Sequence, residues 1–152
     1  MKGVYVLIIR IKHPVSVHIR SLGEITFESG LWTYIGSAMG DGSTSLENRL
    51  SRHFRKEKTI YWHIDYLLDA KTEIEEAIWT ESSRSIECEL SQTIAAKDDF
   101  VAGPRGFGAS DCRKGCVSHI YLYLGEKPLD NRLKIVFREL GLHPHTVKEW
   151  QL

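Results

Sequence analysis

Gly3-Val4-Tyr5-Val6-Leu7-Ile8-Ile9-Arg10-Ile11 is the stretch whose reading decides the fold class. Val, Ile and Leu occupy both parities. Side chains alternate between the faces of a strand, so apolar residues on both parities predict a central strand covered on each side. Lys12-His13-Pro14 interrupts the run. Val15-Ser16-Val17-His18-Ile19 then alternates, as a half-exposed strand does. Gly23 turns the chain into Ile25-Thr26-Phe27, and Gly30 turns it into a second apolar strand, Leu31 to Gly36, with Trp32 and Tyr34 on one face. The N-terminal third therefore reads as an antiparallel sheet built of hairpins.

Small residues follow at 37–43, and then an amphipathic helix from about Ser45 to Lys58 with Leu46, Leu50 and Phe54 inward. Residues 60–69 read as helical or irregular. Ile74 to Trp79 is a strand, and Ser85 is placed to cap a helix running to about Lys97. Residues 100–117 are Gly-rich and irregular, and Ile120 to Leu124 forms another strand. Asp130 caps a last helix with Leu133, Val136, Phe137 and Leu140 inward, and Gly141 ends it. This order predicts one α/β domain over 1–152, a small antiparallel or mixed central sheet flanked by helices, with an extra N-terminal hairpin.

Composition narrows the function classes. The chain has 152 residues, 42% hydrophobic and 26% charged, which suits a globular domain and argues against wholesale disorder. Lys+Arg is 20 and Asp+Glu is 20. A net charge of zero excludes a strongly basic coat, so any nucleic-acid contact must rest on a local patch. No apolar run reaches the ~20 residues of a membrane span, and three cysteines argue against a secreted disulfide scaffold. A cytoplasmic location and no membrane partner are expected.

Four groups of residues have chemical potential. Between Arg49 and Lys58 stand five Lys/Arg and one acid. Arg49, His53 and Lys56 share a helical stripe beside the apolar face, while Arg52 and Arg55 point farther out. The face reads either as a phosphate-binding surface or as an ordinary solvated one. On the later helix Glu87 lies nearer the inward stripe of Ile86, Leu90 and Ile94 than Glu89 does. It reads either as an oxygen ligand for a hard cation or as a glutamate favoured at a helix start. Cys112, Cys116 and His119 lie within eight positions, and Cys88 can join them in space, offering thiolate and imidazole ligands for zinc. Buried thiols are the alternative. Finally, Trp62-His63-Ile64-Asp65 offers a histidine that orients a phosphate or is held by Asp65.

Gly3-Val4-Tyr5, Tyr34-Ile35-Gly36-Ser37-Ala38, the helix Leu46-Glu47-Asn48-Arg49-Leu50-Ser51-Arg52-His53-Phe54 and Glu87 occur in an order that resembles the GIY-YIG nuclease family. Val4 stands where the first tripeptide of that family has isoleucine. Gly36-Ser37-Ala38-Met39-Gly40, Trp62-His63-Ile64-Asp65-Tyr66, Glu87-Cys88, 106–112 and Cys116-Val117-Ser118-His119 are similar to one branch of the family. That branch occurs as stand-alone prokaryotic chains or joined to endonuclease III. The resemblance implies tyrosines on adjacent strands, here Tyr5 and Tyr34, reaching one shallow site. It also implies Arg49 and His53 from the first helix and Glu87 holding one Mg²⁺ or Mn²⁺. The asparagine that many members place late in the domain has no clear counterpart: Asn131 begins the last helix, and Ser110 and Asp111 lie on the irregular loop.

The expectation is therefore a metal-dependent endonuclease-like domain that hydrolyses DNA phosphodiesters, with a place in DNA repair and a protein partner that adds specificity. Tyr5, Tyr34, Arg49, His53 and Glu87 are its catalytic set, and Arg52, Lys56, Ser37 and His63 its substrate contacts. Tyr5 would accept a proton if a neighbouring cation lowers its pKa. The alternative is a non-catalytic nucleic-acid- or protein-binding module on the same fold, for which Cys88, Cys112, Cys116 and His119 offer a stabilising zinc site.

Overall fold

The computed structural model describes residues 1–109, 112 and 114–150. Strand β1 (Gly3–Ile11) lies inside a sheet that runs antiparallel throughout. It pairs with β4 (Gly30–Ala38) on one side and β5 (Glu73–Glu81) on the other. Short strands β6 (Phe100–Ala102), β7 (Ile120–Tyr123) and β8 (His145–Val147) complete the order β6-β7-β4-β1-β5-β8. The expected α/β architecture is thus present, and its sheet is antiparallel.

Both faces of β1 are core, as its two apolar parities predict. Tyr5, Leu7, Ile9 and Ile11 pack into one cluster, and Val4, Val6 and Ile8 into the other. Helices α1 (Leu46–Phe54) and α2 (His63–Leu68) cover the first face through Leu46, Leu50, Ile64 and Leu67. Helices α3 (Glu87–Ala95) and α4 (Leu129–Glu139) cover the second through Leu90, Ile94, Leu133, Val136 and Phe137.

Three expectations are corrected. The hairpin β2 (Val15–Ile19) and β3 (Gly23–Phe27) does not join the main sheet but forms a two-stranded sheet of its own. Ile19 and Phe27 dock on the α1–α2 side of the core, while the alternate residues Ser16, His18, Glu24 and Thr26 face solvent. Helix α1 stops at Phe54 rather than Lys58, because Arg55 is extended and Lys58 Nζ takes up the carbonyls of His53 (3.1 Å) and Arg55 (2.5 Å). Helices α3 and α4 are entered from Ile86 and Pro128, not capped by Ser85 and Asp130. The structure adds a cap at Ser45, whose hydroxyl accepts from Asn48 N–H at 3.3 Å at the start of α1.

The β1–β4 register places Tyr5 opposite Gly36 and Leu7 opposite Tyr34, so both tyrosines lie on the α1 face as diagonal neighbours. A Cβ on Gly36 would stand 2.5 Å from Cζ and Oη of Tyr5. The phenol ring occupies the space a side chain would fill. Gly36→Ala is therefore expected to displace the Tyr5 ring and destabilise the protein by about 1–3 kcal/mol. Urea unfolding checks this; an unchanged midpoint would show that the ring moves aside without cost.

Candidate functional site

Strand β4 outruns its neighbour β7. Pairing ends at Tyr34–Ile120, after which Ile35 N–H donates to the His119 carbonyl at 2.9 Å. Beyond this point β4 continues beside β1 alone. The ends of α1 and α3 and the 103–119 segment close around it, leaving a cleft of ≈ 450 Å³. Tyr5, Tyr34, Ser37, Arg49, Trp62, Glu87 and His119 line it. Of the catalytic and substrate-contact residues expected from the sequence, Tyr5, Tyr34, Ser37, Arg49 and Glu87 share this cleft, and Cys88, Cys112 and His119 of the thiol group border it.

His53 stands behind that wall. It is 2% exposed, and its Nε2 lies 2.7 Å from the Tyr5 hydroxyl. Burial lowers its pKa from 6.5 to about 3, assisted by the charges of Lys58, Arg52 and Arg49 against Asp65. Burial also raises Tyr5 far above the ordinary phenol value, outweighing the lowering effect of Arg49, and raises Tyr34 as well. With protein charges alone, both tyrosines are neutral phenols, and the expected lowering at Tyr5 is not reached.

Arg49 Nη1 donates to the Ser37 carbonyl at 3.0 Å, and its Cζ lies 4.4 Å from the centre of the Trp62 ring. Among the described residues its Nε is buried with no partner. Glu87 accepts from the Ser37 hydroxyl at 3.1 Å through Oε2 and meets His119 Nδ1 at 3.2 Å through Oε1. Burial opposes the charged form of His119, yet the Glu87 hydrogen bond and charge raise its pKa above 6.5. Glu89 turns away and pairs with Arg84 (3.0 Å) and Lys114 (2.8 Å).

The remaining expected substrate contacts lie elsewhere. Arg52 does not point outward: it forks onto Asp65 with two bonds of 2.8 Å, and Asp65 is 0% exposed. Asp65 also accepts the N–H groups of Tyr61 (2.9 Å) and Trp62 (2.8 Å). Although burial opposes its ionisation, these donors hold the carboxyl below its usual range. Lys56 is exposed past the end of α1, in a separate cavity with Arg55 and Lys58, and so leaves the Arg49–His53 stripe. His63 does not line the cleft and makes no hydrogen bond to Asp65 among the described residues. Its Nδ1 accepts from Gly108 N–H at 3.0 Å, which leaves Nε2 to donate to Ser21 Oγ at 2.8 Å. It ties the hairpin turn to the 103–119 segment. Ser110 and Asp111 lie outside the described residues.

The sulfur-bearing residues do converge. Sγ of Cys88, Cys112 and Cys116 and a ring nitrogen of His119 all lie within 4.8 Å of one another. Cys88 faces away from the α3 core stripe, and the segment around 112–119 covers it. Tetrahedral zinc–sulfur bonds of ~2.3 Å place ligand atoms about 3.8 Å apart. The distances of 3.1 Å between Cys88 and Cys112 and 3.9 Å from Cys88 to His119 Nε2 bracket that spacing. The group can hold a metal. Burial opposes Cys112 ionisation, but donors from Cys88 and the backbone of Cys116 and Lys114 lower its pKa to about 6. Burial raises Cys88 and Cys116.

A family model described as "Domain of unknown function DUF123" matches residues 4–142. The chain belongs to the DUF123 family. The match spans β1 through α4 and includes every residue of the cleft wall and the thiol group. No curated protein and no solved structure matches the chain. Among the described residues of this DUF123 domain, no helix is long and apolar enough to cross a membrane.

Sequence reasoning missed Trp62 as part of the site. Its ring carries Arg49 at 4.4 Å and Arg52 at 4.3 Å, and thereby sets the reach of both guanidinium groups. Two outcomes follow for this wall. Arg52→Ala is expected to cost about 3–5 kcal/mol of stability, because it strands a buried carboxylate; chemical denaturation measures it, and a loss below 1 kcal/mol would make the fork dispensable. For His53, both folded and unfolded imidazoles are neutral above pH 6.5. As pH falls, the unfolded state protonates first, so stability declines from pH 6.5 down to about 3. The wild type should therefore lose stability more steeply than His53→Gln across that window; parallel profiles would contradict a buried neutral imidazole.

Proposed function

We propose that this protein is a metal-dependent phosphodiesterase of the GIY-YIG type that cuts DNA in the cytoplasm, in the service of repair. The observation carrying this reading is the convergence on one cleft of two buried phenols, one carboxylate and a guanidinium with a buried, unpartnered N–H. A substrate phosphate supplies the acceptor that Arg49 Nε lacks. The sequence resemblance adds the same residues in the same order.

The donors fit a hard cation: Glu87 offers one carboxylate at 22% exposure, beside the Ser37 hydroxyl, and substrate and water complete the shell. Bound there, Mg²⁺ or Mn²⁺ supplies charge stabilisation for the phosphate and the leaving oxygen. Arg49 binds the phosphate and offsets charge that grows during in-line attack. Tyr5 accepts a hydrogen bond from the attacking water; with a bound cation lowering its pKa it would lose its own proton to solvent and take up the one the water gives up on attack, while the His53 ring holds its oxygen. Tyr34 borders the same water. Arg52 acts through Trp62, whose position it and Asp65 hold, and binds no phosphate itself. A protein partner adds specificity to so small a surface.

The thiol group favours a second element in this reading. Three sulfurs and one imidazole fit zinc better than a hard cation. Zinc there holds the 112–119 segment on α3, in an enzyme or in a non-catalytic nucleic-acid- or protein-binding module alike.

Nicking of supercoiled plasmid with Mg²⁺ or Mn²⁺ separates enzyme from module. Glu87→Gln should abolish nicking and Arg49→Ala should lower kcat by about 10² or more. Glu89→Gln should change little, since Glu89 pairs with Arg84 and Lys114. A wild type that nicks nothing across metals and DNA structures leaves the binding module as the reading.

A further inference from the structure

Glu87 faces two ways. Its Oε2 accepts from Ser37 on the cleft wall, and its Oε1 meets His119 Nδ1 at 3.2 Å. The other nitrogen of the same ring, Nε2, lies 3.9 Å from Cys88 Sγ and belongs with the three thiols. The His119 ring is 2% exposed, so neither nitrogen has free access to water as a substitute partner. A histidine that ligates a metal through one nitrogen carries its proton on the other, and a carboxylate or carbonyl commonly holds that N–H. Glu87 stands where that carboxylate is required.

We propose that Glu87 is the outer-sphere carboxylate of the Cys88–Cys112–Cys116–His119 zinc centre, and that the centre and the phosphate-facing cleft form one coupled unit through it. The inference rests on the zinc reading above and does not require cleavage. Zinc on Nε2 fixes the tautomer with Nδ1–H donating to Oε1. That bond leaves Oε2 directed at Ser37 and the cleft. In return the Glu87 charge makes the imidazole a stronger ligand. Zn²⁺ with three thiolates and a neutral imidazole carries one net negative charge, so the loaded centre does not repel a cation held by Glu87.

Chelator competition for zinc on the purified full chain tests the coupling, comparing wild type with Glu87→Ala, Glu87→Gln and Glu89→Gln. Glu87→Ala should loosen zinc about 10–100-fold. Glu87→Gln should fall between, because the amide oxygen still accepts from Nδ1–H but has no charge; it also covers the case in which Glu87→Ala folds poorly. Glu89→Gln should stay within twofold of wild type. Zinc affinity unchanged in both Glu87 variants overturns the coupling, as does a wild type that takes up no stoichiometric zinc. The outcomes separate from those of the nuclease reading. Lost nicking in Glu87→Gln with unchanged zinc affinity supports the nuclease and sinks the coupling. A wild type without nicking whose Glu87 variants loosen zinc does the reverse.

Discussion

The pairing of Tyr5 with Gly36 is the contact on which the site depends. β1 is buried on both faces, and a one-residue slip would exchange its two sets of side chains. Tyr5 would then enter the core under α3 and α4, and Val4 or Val6 would face α1. The two apolar clusters exclude that slip, because each is filled by residues of matching parity. With the register set, Gly36 leaves room for the phenol ring, whose hydroxyl reaches His53 on α1. The same docking of α1, through Leu46 and Leu50, brings Arg49 to the Ser37 carbonyl. Core packing and site geometry are therefore one constraint.

Burial then sorts the site's groups by charge. Tyr5, Tyr34 and His53 are enclosed without an opposite charge strong enough to offset desolvation, so they stay neutral. Asp65 is also enclosed, but a guanidinium fork and two backbone N–H groups keep it ionised. Arg49 and Glu87 lie between these extremes on the cleft wall. Arg49 has one hydrogen-bond partner there, the Ser37 carbonyl, and Glu87 has two, Ser37 and His119, and each keeps capacity to spare, which is the condition for meeting a ligand rather than serving structure alone. Arg52 lacks that capacity, since the buried Asp65 absorbs it.

This division explains what was legible in the sequence. Apolar parity revealed β1, β4 and their burial, and helical spacing revealed α1. Glu87 was separable from Glu89 by distance to a stripe; in the structure Glu87 reaches Ser37 while Glu89 pairs with Lys114. The fate of Arg52 was not legible, because its acceptor lies across an irregular connection that no periodicity describes. His63 was hidden for the same reason: its partners, Ser21 and Gly108, lie far away on either side in the chain. β6 and β8 have three residues each, too few for an alternation to stand out. Lys56 was misplaced because a wheel extends a helix beyond the residue where the backbone leaves it.

The 103–119 segment links the two ends of the argument. It joins neighbouring strands β6 and β7, yet it is far longer than a hairpin needs, and connections of that length are uncommon unless something holds them. Several anchors do. Phe107 is fully buried, with Phe27 and His63 each 5.7 Å away and Tyr34 6.2 Å away. Gly108 takes a positive φ of 66°, and a Cβ there would stand 2.9 Å from Tyr34 Cε1. Ser91 and Gln92 of α3 bond the carbonyls of Ser118 and Lys114 at 3.1 and 2.8 Å. These contacts bring Cys112, Cys116 and His119 over Cys88 at the start of α3, beside Glu87. A metal held by that group would cross-link the segment to α3 and remove chain freedom. The wall that carries Glu87 and the segment that supports Tyr34 are consequently closed by the same set of contacts, and loosening either end displaces the other.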